Sequence, residues 1–231
     1  MNSYNLLKSE KTWNAIAKSF DITRKKPWNQ CIDFINDLSK EDIVADFACG
    51  NGRHLIPAAK HCKYVIGLDI SGKLIEIVQK KLNNEKIRNV TLIHSDIVNN
   101  PTESESVDAA MYIAALHNIQ GRINRINSLK EIRRTLKNDG VALISVWSRW
   151  QDKYRMHFLK KWFFQIGNSE FGDIDILWRQ HGLNIPRFYH LYSKKEFQKD
   201  LKDANLKIIE INNTKLISKK HPDNYFAIVK K

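Results

Sequence analysis

Between residues 43 and 147 the period of the hydrophobic pattern switches back and forth between strand and helix. Ile43–Phe47, Tyr64–Leu68, Val90–His94, Val107–Ile113 and Val141–Trp147 are short apolar runs that read as strands. Between them, Gly52–His61 reads as a helix that Pro57 either argues against or kinks, and Ser71–Asn83 as a helix with Leu74, Ile75 and Val78 on one face. Ile123, Ile126, Leu129, Ile132 and Leu136 predict a long amphipathic helix that Gly140 stops. Parallel strands cannot be joined by tight hairpins and need crossovers, which this alternation supplies. The chain is therefore expected to build an α/β domain, a mostly parallel sheet with helices on both faces.

The flanks follow other patterns. Trp13, Ile16, Ala17 and Phe20 share one helical face, and Cys31, Phe34, Ile35 and Leu38 repeat the spacing after Pro27, placed in a first helical turn. Asp21–Lys26 is a polar loop between them. Residues 148–192 are aromatic and basic without clear period, and Trp162, Phe163 and Phe164 read there as core or partner surface. Ser193 and Glu196 match a capping box that opens a helix to about Ala204. Leu206–Ile211 and Tyr225–Val229 read as a final strand pair, close enough to run antiparallel at a sheet edge. One domain over 1–231 is expected: an N-terminal helical extension (1–42), a core (43–147), an insertion (148–192) and a closing helix and strand pair (193–231).

With 231 residues and 42% hydrophobic content, such a domain folds without disulfides or a structural metal. Three cysteines (Cys31, Cys49, Cys62) form no CxxC pair and suit a reducing compartment; no metal-ligand set is read. No run has the length of a membrane span and the N-terminus lacks a secretory apolar stretch, so a cytoplasmic or nuclear protein away from membranes is expected. The net charge is +13, with 16 basic and 9 acidic residues in 151–231. That excess favours polyanionic partners, although a Lys-, Asn- and Ile-rich composition produces the same excess without one.

Chemistry concentrates where the first strand ends, in Asp46-Phe47-Ala48-Cys49-Gly50-Asn51-Gly52. Glycines there take positive φ and let backbone approach a ligand. Read as a dinucleotide fingerprint the loop fails, because Leu55 stands where the third glycine belongs. Asp46 would repel a pyrophosphate and attract an ammonium or a sulfonium. Asp69 ends the second strand, where an acid accepts from both ribose hydroxyls. Asp96 follows the third strand, where an acid accepts from an exocyclic adenine amine while Ile97 packs on the ring. A single strand-end aspartate is usually a helix cap; three in register with a Gly-x-Gly loop are not explained that way.

This order of motifs resembles the class I S-adenosylmethionine-dependent methyltransferases over residues 43–147. The resemblance implies a Rossmann-like, seven-stranded, mostly parallel sheet with an antiparallel C-terminal strand pair. It implies S-adenosylmethionine as cofactor and S-adenosylhomocysteine as product. Asp46, Ala48, Gly50 and Gly52 would hold the methionine end, Asp69 with Ile70 the ribose, and Asp96 with Ile97 the adenine. Ala48 stands where glycine is more usual.

After the fourth strand comes Ile113-Ala114-Ala115-Leu116-His117-Asn118-Ile119, without the Asn/Asp-Pro-Pro-aromatic signature of enzymes that methylate planar amino nitrogens. That segment, together with Trp13–Trp28, Ser145-Val146-Trp147 and Arg187-Phe188-Tyr189-His190-Leu191-Tyr192, is similar to the tRNA wobble-uridine carboxymethyl methyltransferases, in their stand-alone, yeast-type form. The family esterifies the carboxylate of 5-carboxymethyluridine. A carboxylate is ionised at pH 7, so the reaction needs alignment and an anion-binding group rather than a general base. Arg24 and Arg187 are the candidates to bind the carboxylate or a phosphate, His117 to donate to the carboxylate or uracil, and Tyr189 and His190 to stack on or hydrogen-bond an extruded base. The resemblance further implies two partners, a tRNA anticodon stem-loop and a small zinc-binding activator subunit in a heterodimer. Two other readings stand beside it: a class I enzyme acting on a small metabolite, and a methyltransferase-like binding protein without turnover.

Overall fold

A strand buried on both faces must be apolar at nearly every position, and Val44, Ala45 and Phe47 are fully buried in the strand that centres the sheet. The computed structural model describes the backbone of residues 3–164 and 169–231. In chain order the elements are α1 (Ser3–Thr23), α2 (Asn29–Asn36), β1 (Ile43–Phe47), α3 (Leu55–His61), β2 (Tyr64–Asp69), α4 (Gly72–Asn84), β3 (Val90–His94), β4 (Val107–Ile113), α5 (Arg122–Thr135), β5 (Leu136–Trp147), α6 (Arg155–Phe164), β6 (Asp173–Trp178), β7 (Ile185–His190), α7 (Lys194–Asp203), β8 (Lys207–Thr214) and β9 (Asn224–Lys230). Seven strands form one sheet in the order β3-β2-β1-β4-β5-β9-β8. The pairs from β3 to β5 are parallel, and β9 runs antiparallel to both β5 and β8. This is the expected seven-stranded architecture.

Two apolar layers sandwich the sheet. On one face Leu129 and Ile132 of α5 and Phe197 and Leu201 of α7 pack on Phe47, Tyr112 and Ile144. On the other, Cys31 and Phe34 of α2, Leu55 and Ala58 of α3, and Val78 and Leu82 of α4 pack on Val44, Val65 and Met111. The chain builds outward from β1 to β3, then crosses to β4 beside β1. That reversal leaves a crevice at the carboxyl ends of β1 and β4, where open α/β sheets take their ligands.

Several boundaries differ from expectation for identifiable reasons. The helix expected over Gly52–His61 begins at Leu55, because Gly52 takes φ +79°. Pro57 then falls in the first turn, where a missing N–H is harmless, and no kink is needed. Pro27 lies before the α2 N-cap Trp28 rather than inside the first turn. Leu136 starts β5 opposite Val107 instead of ending α5, and Gly140 lies within β5 rather than stopping a helix. A Cβ at Gly140 would come within 3.0 Å of the Lys137 carbonyl, which accounts for glycine there. Ile123, assigned to the apolar face of α5, is exposed, and the buried face is built from Arg125, Ser128, Leu129 and Ile132.

The aromatic insertion contains a hairpin the sequence pattern did not reveal. β6 and β7 form a separate two-stranded antiparallel sheet, and α6 packs on it through Phe158, against Ile176, Tyr189 and Leu191. Trp162 and Phe163 are exposed, so they are surface rather than core; the side chain of Phe164 lies outside the described residues. Beyond the hairpin the Ser193–Glu196 capping box forms as expected. The three cysteines are buried and free.

Candidate active site

The carboxyl ends of β1, β2 and β4 open on a cavity of about 310 Å³. Helix α1 contributes Thr12, Trp13 and Phe20 to its lining, and the β6–β7 hairpin contributes Arg187 and Phe188. Strand alternation turns Asp46 toward the face of Val44, and the loop after β1 turns back under the cavity floor. Ala48, Gly50 and Gly52 all take positive φ (58°, 58° and 79°). The Gly50 N–H donates to Asp69 Oδ2 at 2.8 Å, and the Ser71 N–H donates to Asp69 Oδ1 at 2.8 Å. Asp69 thus braces the glycine loop while still lining the cavity.

The acids differ in their surroundings. Asp46 is buried, its Oδ2 has no hydrogen-bond partner, and it lies off the cavity wall. Burial, aided by the Asp69 charge and opposed by Arg53, pushes its carboxyl up to about 8. Asp69 is raised to about 6 by burial, against the pull of the Ser71, Gly50 and Ile70 backbone N–H groups and of His94. Asp96 lines the cavity and accepts from the Val98 N–H at 3.3 Å, capping a short 3-10 turn, while its Oδ2 is buried without a partner. Burial raises this carboxyl too. Ile70 and Ile97 line the cavity beside their acids. Gly52 does not; a Cβ there would stand 3.1 Å from Val78 Cγ1, so its place is loop-to-α4 packing.

These residues fit S-adenosylmethionine. Asp46 and Asp96 each keep a buried carboxylate oxygen without a partner, Asp96 at the cavity wall, and Gly50, with no side chain, brings loop backbone to that wall beside Ala48. Leu68, Ile97 and Tyr112 give an apolar bed for a ring. Ala48 carries a strain of its own, since an L-residue at φ +58° is unfavourable. Ala48→Gly should therefore stabilise the protein by about 0.5–1 kcal/mol, read as a rise in Tm of about 2–4 °C per kcal/mol; an unchanged or lower Tm would show that the alanine is not strained.

On the substrate side the rings form a stack. His117 lies 5.2 Å from Tyr189 at 20°, and Trp147 lies 5.0 Å from Tyr189 at 22°. His117 is buried, and its Nδ1 accepts from the Trp147 N–H at 3.1 Å, which leaves the ring proton on Nε2. Burial and the nearby Arg187 push this imidazole down to about 3, so it stays neutral. The Tyr189 hydroxyl accepts from Arg187 Nη1 at 2.5 Å. Neither His117 nor Tyr189 lies on the cavity wall; Tyr189 supports Arg187 instead of offering a free ring face. His190 is buried with its ring nitrogens at Asp173 (2.7 Å) and Glu196 (3.0 Å), which removes it as a base-contacting residue. Arg187 does line the cavity, and its Nε is buried without a partner. Arg24, just past α1 and off the wall, shares the Trp178 indole with it: the two guanidinium carbons lie 5.3 Å and 4.8 Å from the ring centre.

Three contributors were not singled out in the sequence. Arg53, one residue past Gly52, lines the cavity with its guanidinium 4.5 Å over Trp28. Asn51 donates through Nδ2 to Asp21 Oδ1 and to the Arg24 carbonyl, both at 2.9 Å, tying the Arg24 loop to the glycine loop. Trp178 is the third. Glycine-loop neighbours were a signal for the first two; nothing in the local pattern marked Trp178. Among the described residues one cluster, Glu170, Asp173 and His190, has metal-ligand geometry. Arg125 already pairs with Glu170 at 2.5 Å, so a guanidinium occupies the cationic position and the cluster reads as an ion-pair network.

Comparison with known proteins agrees with this geometry. A family described as a methyltransferase domain matches residues 45–144. The chain is 34% identical over 140 residues to the mouse tRNA (carboxymethyluridine(34)-5-O)-methyltransferase ALKBH8, covering 61% of this chain and 20% of that protein. It is 25% identical to the Schizosaccharomyces pombe protein of the same activity name, covering 95% of this chain and 94% of that one. The chain spans about a fifth of the length of the animal relatives it matches. Among solved structures, a SAM-dependent methyltransferase from Methanosarcina mazei superposes with a TM-score of 0.70 at 20% identity, covering 89% of this chain and 98% of that one. A Haloferax volcanii methyltransferase in complex with the Trm112 activator superposes with 0.65 at 14% identity, covering 96% of each.

Proposed function

We propose that the chain, similar over residues 45–144 to a methyltransferase domain family and along most of its length to a tRNA carboxymethyluridine-34 methyltransferase, transfers a methyl group from S-adenosylmethionine to the carboxylate of 5-carboxymethyluridine at the wobble position of tRNA. The observation that carries the reading is a pair of arginines on one indole beside the cofactor cavity. Among the described residues neither Arg24 nor Arg187 forms an ion pair, and Arg187 keeps an unused buried N–H.

The bound cofactor supplies a methyl group on a sulfonium, which a ready-made anion can attack. This chain's residues then have three tasks. Asp46, Asp69 and Asp96 with the glycine loop fix the donor, and Arg53 supplies a cation for its carboxylate end. Arg187 holds the acceptor carboxylate, so that alignment replaces base catalysis. His117, neutral and buried, positions Tyr189 and through it Arg187; no proton has to move through it.

The partners belong to the same reading. The basic surplus supports an anticodon stem-loop as substrate, its phosphates contacted by Lys and Arg. A small zinc-binding activator is proposed as a heterodimer partner; β3 and β8 are the unpaired sheet edges open to such a subunit. No helix among the described residues is long and apolar enough to cross a membrane.

The test is direct. Protein with and without activator is incubated with labelled cofactor and tRNA carrying 5-carboxymethyluridine, and the nucleosides are digested and separated. Label in the methyl ester is expected. Label on a ring nitrogen or ribose, or none with either preparation, would overturn the proposal.

A further inference from the structure

Arg24 and Arg187 come from segments 163 residues apart in sequence, and like charges do not gather without cause. Here each lies over the same indole, that of Trp178 at the end of β6. Trp178 is almost wholly buried, and its ring is fixed at the polar end: Nε1–H donates to Ser19 Oγ at 2.8 Å. Ser19, on α1, is itself buried and hydrogen-bonded to His181 Nδ1 at 2.8 Å. Phe20 backs the indole at 5.9 Å and also stands 3.5 Å from the Cβ position of Gly50. One ring on β6 therefore meets α1, which Arg24 directly follows, the guanidinium of Arg187 on the paired strand β7, and Phe20 against the cofactor loop.

We propose that Trp178, held by Ser19, is a positioning residue that sets Arg24 and Arg187 as a two-guanidinium clamp for the anionic group of the substrate. The inference rests on the proposed wobble-carboxylate reading. An aromatic face suits the task because it attracts a guanidinium without neutralising it. A carboxylate in its place would hold the arginines more strongly and would occupy the N–H groups the substrate needs. With both guanidiniums against one ring and neither ion-paired among the described residues, the two cations stay available to a shared ligand.

The test compares two tRNAs that differ only at the wobble side chain, one with the carboxylate and one with the neutral carboxamide. Affinities of the wild type, Trp178→Phe, Trp178→Leu and Ser19→Ala are measured at fixed salt, with S-adenosylhomocysteine affinity as the folding check. The wild type should favour the carboxylate, and Trp178→Leu should lose about tenfold of that preference while keeping cofactor affinity. Trp178→Phe, which keeps a ring face, should retain most of the preference, and Ser19→Ala should lose part of it. A Trp178→Leu protein that weakens on both tRNAs equally, or on neither, would refute the positioning role. If Trp178→Leu fails to bind cofactor, the Ser19→Ala and Trp178→Phe ratios decide, and a wild-type ratio in both refutes it. A wild type without preference for the carboxylate would instead defeat the proposed function itself, and the clamp with it.

Discussion

Replacing Arg187 with alanine is expected to lower kcat/KM for tRNA by about 10²–10³-fold, the usual cost of deleting one charged donor from a preorganised site. The guanidinium is buried, lines the cavity, and keeps Nε free while Nη1 is spent on Tyr189. No other described cation on the wall has that combination of burial and an unused buried N–H: Arg53 is only partly buried and lies at the glycine-loop side. Arg187→Lys should recover little, because an ammonium cannot grip Tyr189 and a carboxylate at once in the fork geometry of arginine. Cofactor affinity should stay within about twofold, since the lost interaction belongs to the acceptor. Steady-state kinetics with tRNA, paired with calorimetry of S-adenosylhomocysteine, separates the two. Full turnover by the alanine variant would remove Arg187 from the acceptor site and leave Arg24 to carry it.

The ease of reading this site in the sequence tracks how local each feature is. β1 and β4 start and stop where the apolar runs do because a strand buried on both faces writes itself into consecutive apolar residues, and β3, partly buried at the sheet edge, keeps the same bounds as its short run. Asp69 and Asp96 were visible for the same reason: they sit where those runs end. Leu136 misled because it is buried as the last residue of a helical stripe or the first of a strand alike, and only its pairing with Val107 decides. Tyr189 and His190 read from the sequence as contacts of an extruded base, yet neither lines the cavity, because which face of β7 each points from depends on a hairpin that has no clean alternation. Trp178 is the extreme case. Its role comes from Ser19, 159 residues away, and from two arginines whose meeting no spacing encodes.

Asp46→Asn should push stability and binding in opposite directions. The wild-type carboxyl is buried with a partnerless oxygen and is raised from an ordinary value near 3.8 to about 8. In the unfolded chain it ionises at the ordinary value; in the folded, ligand-free protein it stays protonated until about pH 8. Folding therefore takes up a proton between those limits, and this group's contribution to stability falls as pH rises through that window. An asparagine has the same shape and no charge to desolvate. The variant should match the wild type near pH 4 and exceed it progressively toward pH 8, by a few kcal/mol at most; chemical denaturation at pH 5 and pH 8 reads the difference. Binding should move the other way. A cationic donor in the glycine loop stabilises the ionised form, so the wild type must release a proton on binding at pH 7, and its affinity should rise toward pH 8. The asparagine variant should release none, bind about 10–100-fold more weakly, and show a flatter pH dependence. Calorimetry in two buffers of different ionisation enthalpy counts that proton. Equal counts in the two proteins would mean that Asp46 is a structural acid, and that the attraction for the donor resides in Asp69 and Asp96 alone.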